Sequence, residues 1–286
     1  MATEIIPPIV TLVVFILATA FTAYKAYRHG TWMFWSLILS GIFLIVGYSI
    51  RAAWYNQGYV DIYEEPGYMF LTLIFDSLAA LSLTHTLFTL FVRLVWHASP
   101  PALLTARKPL LFHPRYAFRW MNAFLVLFAL VQCVPVWLFV WAGLVAQTVL
   151  LLVFIGFVVR FKKVVLGGKG TVETEKERKL LVCVGVVGGL LTGRSILVWI
   201  WILLGWTDTF FVTFILNALP VFVCFIILNV YHPSAYLPSN YTRFRLDKDS
   251  ALATKNADAR VAQLTRDAYL AANSSDASSG RRMGMA

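Results

Sequence analysis

Seven apolar stretches, each about as long as a bilayer-spanning helix, most strongly constrain how this chain can fold. A helix needs roughly 20 residues to cross a hydrocarbon core of about 30 Å, and backbone groups in lipid must be paired within their own element. The chain is 59% hydrophobic and only 13% charged, which is too apolar for a soluble protein. The sequence therefore predicts an all-α polytopic membrane protein with seven transmembrane helices, near residues 6–26, 32–55, 68–96, 118–134, 137–160, 179–205 and 209–231.

The distribution of basic residues predicts how the bundle is oriented. Every Lys and Arg except Arg51 and Arg194 falls around the connections between the first and second, third and fourth, and fifth and sixth predicted helices, or in the tail. Positively charged loops tend to stay in the cytoplasm. We therefore expect an integral protein of the plasma membrane or an endomembrane, with an extracytoplasmic N-terminus, an uncleaved first helix and a cytoplasmic C-terminus.

Two regions follow from this topology. Residues 1–231 form the seven-helix transmembrane domain, and residues 232–286 form a cytoplasmic tail whose polar, Ser-rich composition is typical of disorder. Within the tail, residues 250–272 have the composition of a short amphipathic helix. The net charge of +10 is explained by topology and by attraction to anionic lipid, and no motif indicates a nucleic-acid partner. Cysteine and histidine spacing shows no metal motif, so we expect no metal and no cofactor.

Two segments of the chain resemble each other. Residues 70–78 are FLTLIFDSL and residues 211–219 are FVTFILNAL, with Phe, Thr, Ile and the final Leu in common. The alignment places Asp76 and Asn217 at the same position, and the same shift places the first predicted helix on the fifth. The sequence thus predicts a 3+1+3 parallel repeat, in which the fourth helix joins two three-helix units. Chance similarity between apolar helices is the alternative.

Polar residues inside the predicted helices are the candidate functional residues. An ionisable group near the middle of a transmembrane helix costs about 2.5–3.5 kcal/mol on insertion scales, so it usually faces the bundle interior and has a partner. Asp76 and Asn217 lie about 12 Å from the outer boundary at the usual helical rise. Arg194 is slightly deeper and Arg51 is shallower, so all four are expected to converge in the outer half of the bundle. His85, further along the third helix, is a fifth candidate for substrate binding, although a lone histidine more often bonds to a neighbouring helix.

Two interpretations of these residues remain open. A carboxylate between two guanidinium groups leaves one net positive charge, which would hold an anionic headgroup. Alternatively, Asp76 and one arginine form a buried structural ion pair while Arg51 extends to the membrane interface. The sequence does not separate a binding site from a packing device.

At these residues the chain resembles the fungal aminocholesterol-resistance family, also called lipid-translocating exporters. These seven-helix proteins carry a repeated pattern, R-x-x-x-R-x-x-E-x-x-x-G, followed by Asp in the next helix. Residues 51–58 with Asp76 resemble the first copy, and residues 194–205 with Asn217 resemble the second. Residues 231–233, Tyr-His-Pro, resemble the end of the family's last helix. The resemblance implies seven helices and an activity in moving lipids or in resistance to membrane-active compounds.

The chain departs from this pattern at five positions, one of which is Asn217, where the second copy of the pattern has Asp. Gly47 occupies the first arginine position of the first copy, and Val198 occupies the second arginine position of the second copy. Trp54 and Trp201 occupy the two glutamate positions. The lost acids argue against an ion-coupled form of the activity that the resemblance implies.

Three classes of function are compatible with a seven-helix bundle. Intramembrane charges and a parallel repeat favour transport or translocation of lipids or other amphipathic molecules, with membrane lipids as partners. A receptor-like signalling protein fits the topology equally well, but the seventh helix has Asn217-Ala-Leu-Pro220 instead of N-P-x-x-Y and carries no lysine for retinal. A membrane enzyme is least favoured, because the helices lack clustered acids and a nucleophile with a base. We therefore expect a transporter that is not an enzyme.

Overall fold

The computed structural model describes residues 2–56, 66–98, 114–132, 137–163, 172–203 and 214–243, and all secondary structure within these ranges is helical. Four short elements accompany the main helices: a 3-10 turn at Trp32–Phe34, a π-helical segment at Phe214–Ala218, a 3-10 turn at Pro233–Ala235 and a final short helix, α8, at Ser239–Thr242. The main helices are α1 (Ala2–His29), α2 (Trp35–Asn56), α3 (Pro66–Ala98), α4 (Pro114–Gln132), α5 (Trp137–Phe161), α6 (Val172–Leu203) and α7 (Leu219–Val230).

The all-helical membrane fold expected from the sequence is confirmed. Within the described ranges, six helical stretches are long and apolar enough to cross a membrane, and the α4 stretch, Trp120–Val131, is shorter. The seventh crossing stays a prediction. The predicted amphipathic helix at 250–272 lies outside the described residues.

The turn between α1 and α2 shows how local sequence determines the packing of neighbouring helices. Gly30 has φ +63°, a left-handed conformation that glycine adopts without penalty. The amide of Thr31 donates to Ala26 O at 2.9 Å and the amide of Gly30 donates to Tyr27 O at 3.3 Å. This pair of bonds is a Schellman motif, which satisfies the last carbonyls of α1. The chain reverses immediately, so α1 and α2 pack as antiparallel neighbours.

The helix contacts match the arrangement that a parallel repeat predicts. In the first unit α1 packs on α2 and α2 on α3; in the second, α5 packs on α6 and α6 on α7. The contact of α1 with α7 has its counterpart in the contact of α5 with α3. Helix α3 is central, because it also contacts α4 and α6. The two predicted units therefore meet where α3 packs on α5 and α6 and where α1 packs on α7.

Two glycines of α2 bring that helix close to its neighbours. A Cβ on Gly41 would lie 2.8 Å from Thr19 Cγ2 of α1, and a Cβ on Gly47 would lie 3.3 Å from Phe75 Cβ of α3. By contrast, Gly185, Gly189 and Gly193, which are spaced four residues apart along α6, make no comparably close contact: a Cβ on Gly185 would lie 3.7 Å from Val158 Cγ1. A Cβ on Gly189 or Gly193 would meet no described atom within 4 Å.

Helix ends rich in basic residues meet at one end of the bundle, here called the basic end. Lys25 Nζ of α1 donates to Asn229 O of α7 at 2.7 Å, and His97 Nδ1 of α3 lies 2.8 Å from Glu177 Oε1 of α6. The C-terminal turn of α5 joins them through a ring contact of 5.7 Å between Phe161 and Phe91. These contacts gather at one end the described basic residues Lys25, Arg28, Arg93, Arg160, Lys162, Lys163, Lys176, Arg178 and Lys179.

The packed part of the chain extends past the predicted domain boundary at residue 231. Residues 232–243 fold against the basic end, where Leu237, Tyr241 and Thr242 are buried. Arg93 Nη1 donates to Tyr241 O at 3.2 Å, and His97 packs edge-on against the Tyr241 ring. This first part of the tail is thus continuous with the membrane domain.

Candidate functional site

Four of the five candidate residues meet inside the bundle. Arg51 of α2, Asp76 of α3, Arg194 of α6 and Asn217 of the π-helical segment form a buried polar cluster, and each has 6% exposure or less. The cluster lies away from the basic end, because Asp76 is near the start of α3 and Arg51 is near the end of α2. Sequence reasoning thus identified both the members of the cluster and their convergence.

Asp76 is the centre of the cluster. Its Oδ2 accepts a hydrogen bond from Arg51 Nη2 at 3.1 Å and another from Asn217 Nδ2 at 2.5 Å. Its backbone carbonyl accepts a third, from Arg194 Nη2 at 3.3 Å. A carboxylate buried in this way is stabilised because donors replace the water that it has lost. Residues of both predicted repeat units therefore bind one aspartate.

Arg194 is held by the second unit. Its Nε donates to Asn217 Oδ1 at 2.6 Å, so the Asn217 carboxamide bridges this guanidinium and the Asp76 carboxylate. Arg194 Nη1 is buried and has no hydrogen-bond partner among the described residues. The same holds for Ser195 Oγ, one residue further along α6. An unpaired guanidinium N–H in a buried position is a donor available to an anionic or carbonyl group.

Local sequence explains how Asn217 is presented. Pro220 has no N–H to donate to Leu216 O, and a proline ring clashes with the carbonyl four residues before it. The chain from Phe214 to Ala218 is correspondingly wound as a wider π-helix, a form that is common at functional sites. Asn217 therefore projects from an irregular turn that precedes α7.

Tyr48 is a member of this environment that sequence reasoning missed. The Arg51 guanidinium carbon lies 5.4 Å from the centroid of the Tyr48 ring, and Tyr48 is fully buried. A cation over an aromatic face is attracted by the ring quadrupole. The sequence contained a signal for this contact, because Tyr48 and Arg51 are three residues apart and such residues lie on the same face of a helix.

The residues at the positions of the repeated arginine motif explain why there is space for the cluster. Gly47 occupies the position in the first copy that Arg194 occupies in the second, and a Cβ on Gly47 would be 3.6 Å from Asp76 Oδ1. Each unit contributes a single guanidinium to the cluster: Arg51 in the first unit and Arg194 in the second. Val198, which corresponds to Arg51, is buried near Leu73 and Leu144 instead. The two copies of the motif therefore correspond in position, but each supplies its arginine from a different motif position.

His85 lies outside the buried polar cluster. It is about 13 Å further along α3 than Asp76 at the helical rise of 1.5 Å per residue. Its ring packs edge-on against Trp35, at the start of α2, with 5.5 Å between centroids. The structure therefore places His85 apart from the other four candidate residues, and its role in substrate binding stays a prediction.

The charges of the cluster determine what it can bind. The described members of the cluster include two guanidinium groups and one carboxylate, whose formal charges sum to one positive charge, and each member has 6% exposure or less. Within the described ranges no three His, Cys, Asp or Glu side chains come together as a metal site would require. The arrangement is suited to an anionic or strongly hydrogen-bonding polar group.

The sequence model of the family described as RTA1 like protein matches residues 138–240, which include α6, α7 and the cluster residues Arg194 and Asn217. No curated protein and no solved structure matches the chain. The match covers less than half of the chain, and it lies on the second repeat unit and the turns that follow it. The resemblance expected from the sequence is confirmed over these residues: the chain is a multi-pass membrane protein that is similar to the RTA1-like family across residues 138–240.

Proposed function

We propose that this protein moves lipids or other amphipathic molecules across the membrane and that the buried polar cluster holds their headgroup. The proposal is of transport, with no catalytic role. Its support is one observation: residues of both predicted repeat units bind Asp76, in a buried cluster whose described members carry two guanidinium groups and one carboxylate. A charge retained at such cost inside a membrane usually marks a substrate path.

The location of the cluster suits a transporter. The units meet at Asp76 and Asn217, which occupy equivalent positions of the repeat and hydrogen-bond to each other. Transporters built from repeats bind substrate between the repeats and rock one unit against the other. The cluster is buried, so a headgroup can enter only when the units separate. We propose that an anionic headgroup exchanges for part of the Asp76 contacts and binds at Arg194 Nη1.

The test uses the full chain reconstituted in phosphatidylcholine vesicles that contain a trace of a fluorescent anionic phospholipid. Transfer between leaflets is measured by chemical quenching of the outer leaflet. We expect Arg194→Gln to slow transfer of an anionic phospholipid by about tenfold or more, because a charge-assisted hydrogen bond contributes about 1.5–3 kcal/mol. The matched control is Arg93→Gln, which removes a buried guanidinium at the basic end and should leave transfer close to the parent rate.

Two results would count against transport of lipids. Equal rates in protein-containing and empty vesicles would exclude the activity for the lipids tested. Equal loss in Arg194→Gln and Arg93→Gln, with a matching loss of thermal stability, would assign the cluster a role in packing alone. A specific loss in Arg194→Gln with an unchanged melting temperature supports the proposal.

A further inference from the structure

A second feature lies on the outside of the bundle, between α1 and α7. A cleft of about 520 Å³ separates these helices. Its walls are apolar and include Val14, Leu17 and Phe21 of α1 with Phe222 and Ile226 of α7. Leu17, Phe21 and Ile226 are well exposed, so the cleft opens toward the surrounding lipid. From Val14 to Lys25 it extends over about 16 Å at the helical rise, which is about half of a hydrocarbon core.

One end of this cleft is polar and positively charged. Lys25 Nζ donates to Asn229 O at 2.7 Å and lies 5.1 Å from the centroid of the Phe21 ring. The bond satisfies a carbonyl in the last turn of α7, where a cation is favoured. It uses one of the three N–H groups of the ammonium. The lining of the cleft thus combines a cation with apolar walls, and none of its described residues carries a carboxylate.

Asn229 contributes a second polar group at the same end. Its Nδ2 donates to Thr22 Oγ1 and to Phe225 O, each at 2.9 Å. These two bonds fix the carboxamide, and Asn229 Oδ1 is then a buried acceptor with no hydrogen-bond partner among the described residues. Only 6% of Asn229 is exposed. An unpaired buried acceptor is costly, so a donor on an occupant of the cleft would stabilise this end.

We propose that the cleft between α1 and α7 binds an anionic phospholipid from the surrounding leaflet as a resident lipid. An acyl chain lies along the apolar walls, the phosphate binds the Lys25 ammonium, and a donor of the headgroup binds Asn229 Oδ1. Charge complementarity favours this occupant, because Lys25 lies at one end of the cleft and none of the described lining residues is acidic. The site is separate from the buried polar cluster and does not depend on transport.

The test is photo-crosslinking of the full chain in phosphatidylcholine vesicles. The probe is phosphatidylserine with a photoactivatable acyl chain, compared with phosphatidylcholine carrying the same chain. Labelled residues are mapped after proteolysis. We expect the serine lipid to label α1 and α7 around the cleft about fivefold more than the choline lipid, since one basic residue near a membrane surface is worth about that factor.

Two pairs of variants separate the cleft from general attraction of anionic lipid. Lys25→Met should abolish the headgroup preference, whereas Arg28→Gln, which alters an exposed cation on the same helix end, should retain it. Ala18→Leu narrows the cleft and should reduce labelling with both lipids, whereas Ala20→Leu, on an exposed position of α1, should not. Melting temperature and gel-filtration volume identify any variant that fails to fold. If one pair contains such a variant, the proposal is tested with the other pair.

Three results would overturn the proposal. The first is equal labelling by the two lipids, and the second is label spread evenly over the exposed faces of α4 and α5. The third is protection of the cleft by a second copy of the chain, seen as a dimer with no label on α1 or α7. None of these results bears on transfer of lipid through the buried polar cluster, so the two proposals fail independently.

Discussion

At the residue scale, the carboxylate of Asp76 is the group on which the buried polar cluster depends. It is almost fully buried and accepts hydrogen bonds from Arg51 and Asn217. Taking charges out of water costs several kcal/mol for each ion, and only close partners offset that cost. Removal of the Asp76 carboxylate would take from Arg51 and Asn217 the acceptor to which both donate. The stability of the protein should therefore depend more on the total charge of the cluster than on which residue carries each charge.

Exchange of Asp76 and Asn217 is the sharpest test of this balance. Asp76→Asn should lower the free energy of unfolding by about 3–5 kcal/mol, because Arg51 loses the carboxylate to which it donates. Asn217→Asp should also lower it, because the donor to Asp76 Oδ2 is replaced by the oxygen of a second carboxylate. The double variant restores one carboxylate and one carboxamide between the same arginines. We expect it to recover most of the loss, as measured by thermal unfolding in detergent.

The single variants serve as controls in a double-mutant cycle, and the coupling energy is the quantity of interest. Additive losses would show that the two positions are not equivalent and would contradict the repeat. Recovery of stability without recovery of lipid transfer would show that lipid transfer requires the carboxylate at position 76 and the carboxamide at position 217. Either result separates packing from transport.

At the scale of elements, close packing of α1 on α2 depends on a glycine. A Cβ added to Gly41 would overlap Thr19, with 2.8 Å to its Cγ2 and 2.9 Å to its Cβ. Thr19 is itself buried, so its side chain has little room to move. The two helices would have to separate.

Gly41→Ala should therefore destabilise the protein by about 1–3 kcal/mol, the usual cost of overpacking. Gly193→Ala is the matched control, since a Cβ there would meet no described atom within 4 Å and alanine is the better helix former. We expect Gly193→Ala to leave the melting temperature unchanged or raise it. Equal losses in both variants would show that helix packing at Gly41 is not the cause.

The π-helical segment before α7 shows where local pattern and structure separate. Pro220 marks a break in a helix, and that break could be predicted. The pattern does not say whether the chain kinks, ends or widens at that point, because neighbouring helices decide which hydrogen bonds replace the missing one. Here the turn widens, and Asn217 contacts Asp76 and Arg194 at the same time.

At the scale of the whole molecule, the described basic residues of α1, α3, α5 and α6 lie at one end of the bundle. The exception in these four helices is Arg194. Helix α5 reaches that end at Phe161, so it begins at the opposite end, and α4 ends only a few residues before it. Nineteen residues of α4 extend about 28 Å, enough to return from one end to the other. The geometry thus favours a seventh crossing by α4.

Single-cysteine labelling with a membrane-impermeant reagent tests this topology in sealed vesicles of known orientation. In a variant without native cysteines, Arg28→Cys and Arg115→Cys should react from the cytoplasmic side, and Leu138→Cys and Leu203→Cys from the other. Reaction of Arg115→Cys and Leu138→Cys from the same side would show that α4 does not cross. Reaction of Arg28→Cys from the extracytoplasmic side would reverse the predicted orientation.

The sequence determined the class of structure, because twenty-residue apolar stretches in a membrane have almost no alternative to helices. It also determined the four members of the cluster, since charges in such helices need interior partners. Only the tertiary structure decided that His85 packs against Trp35, that Tyr48 contacts Arg51, and that residues 232–243 close the basic end. These outcomes depend on the rotation of each helix about its axis and on side chains brought together from distant segments. A uniformly apolar helix does not encode that rotation in its own sequence.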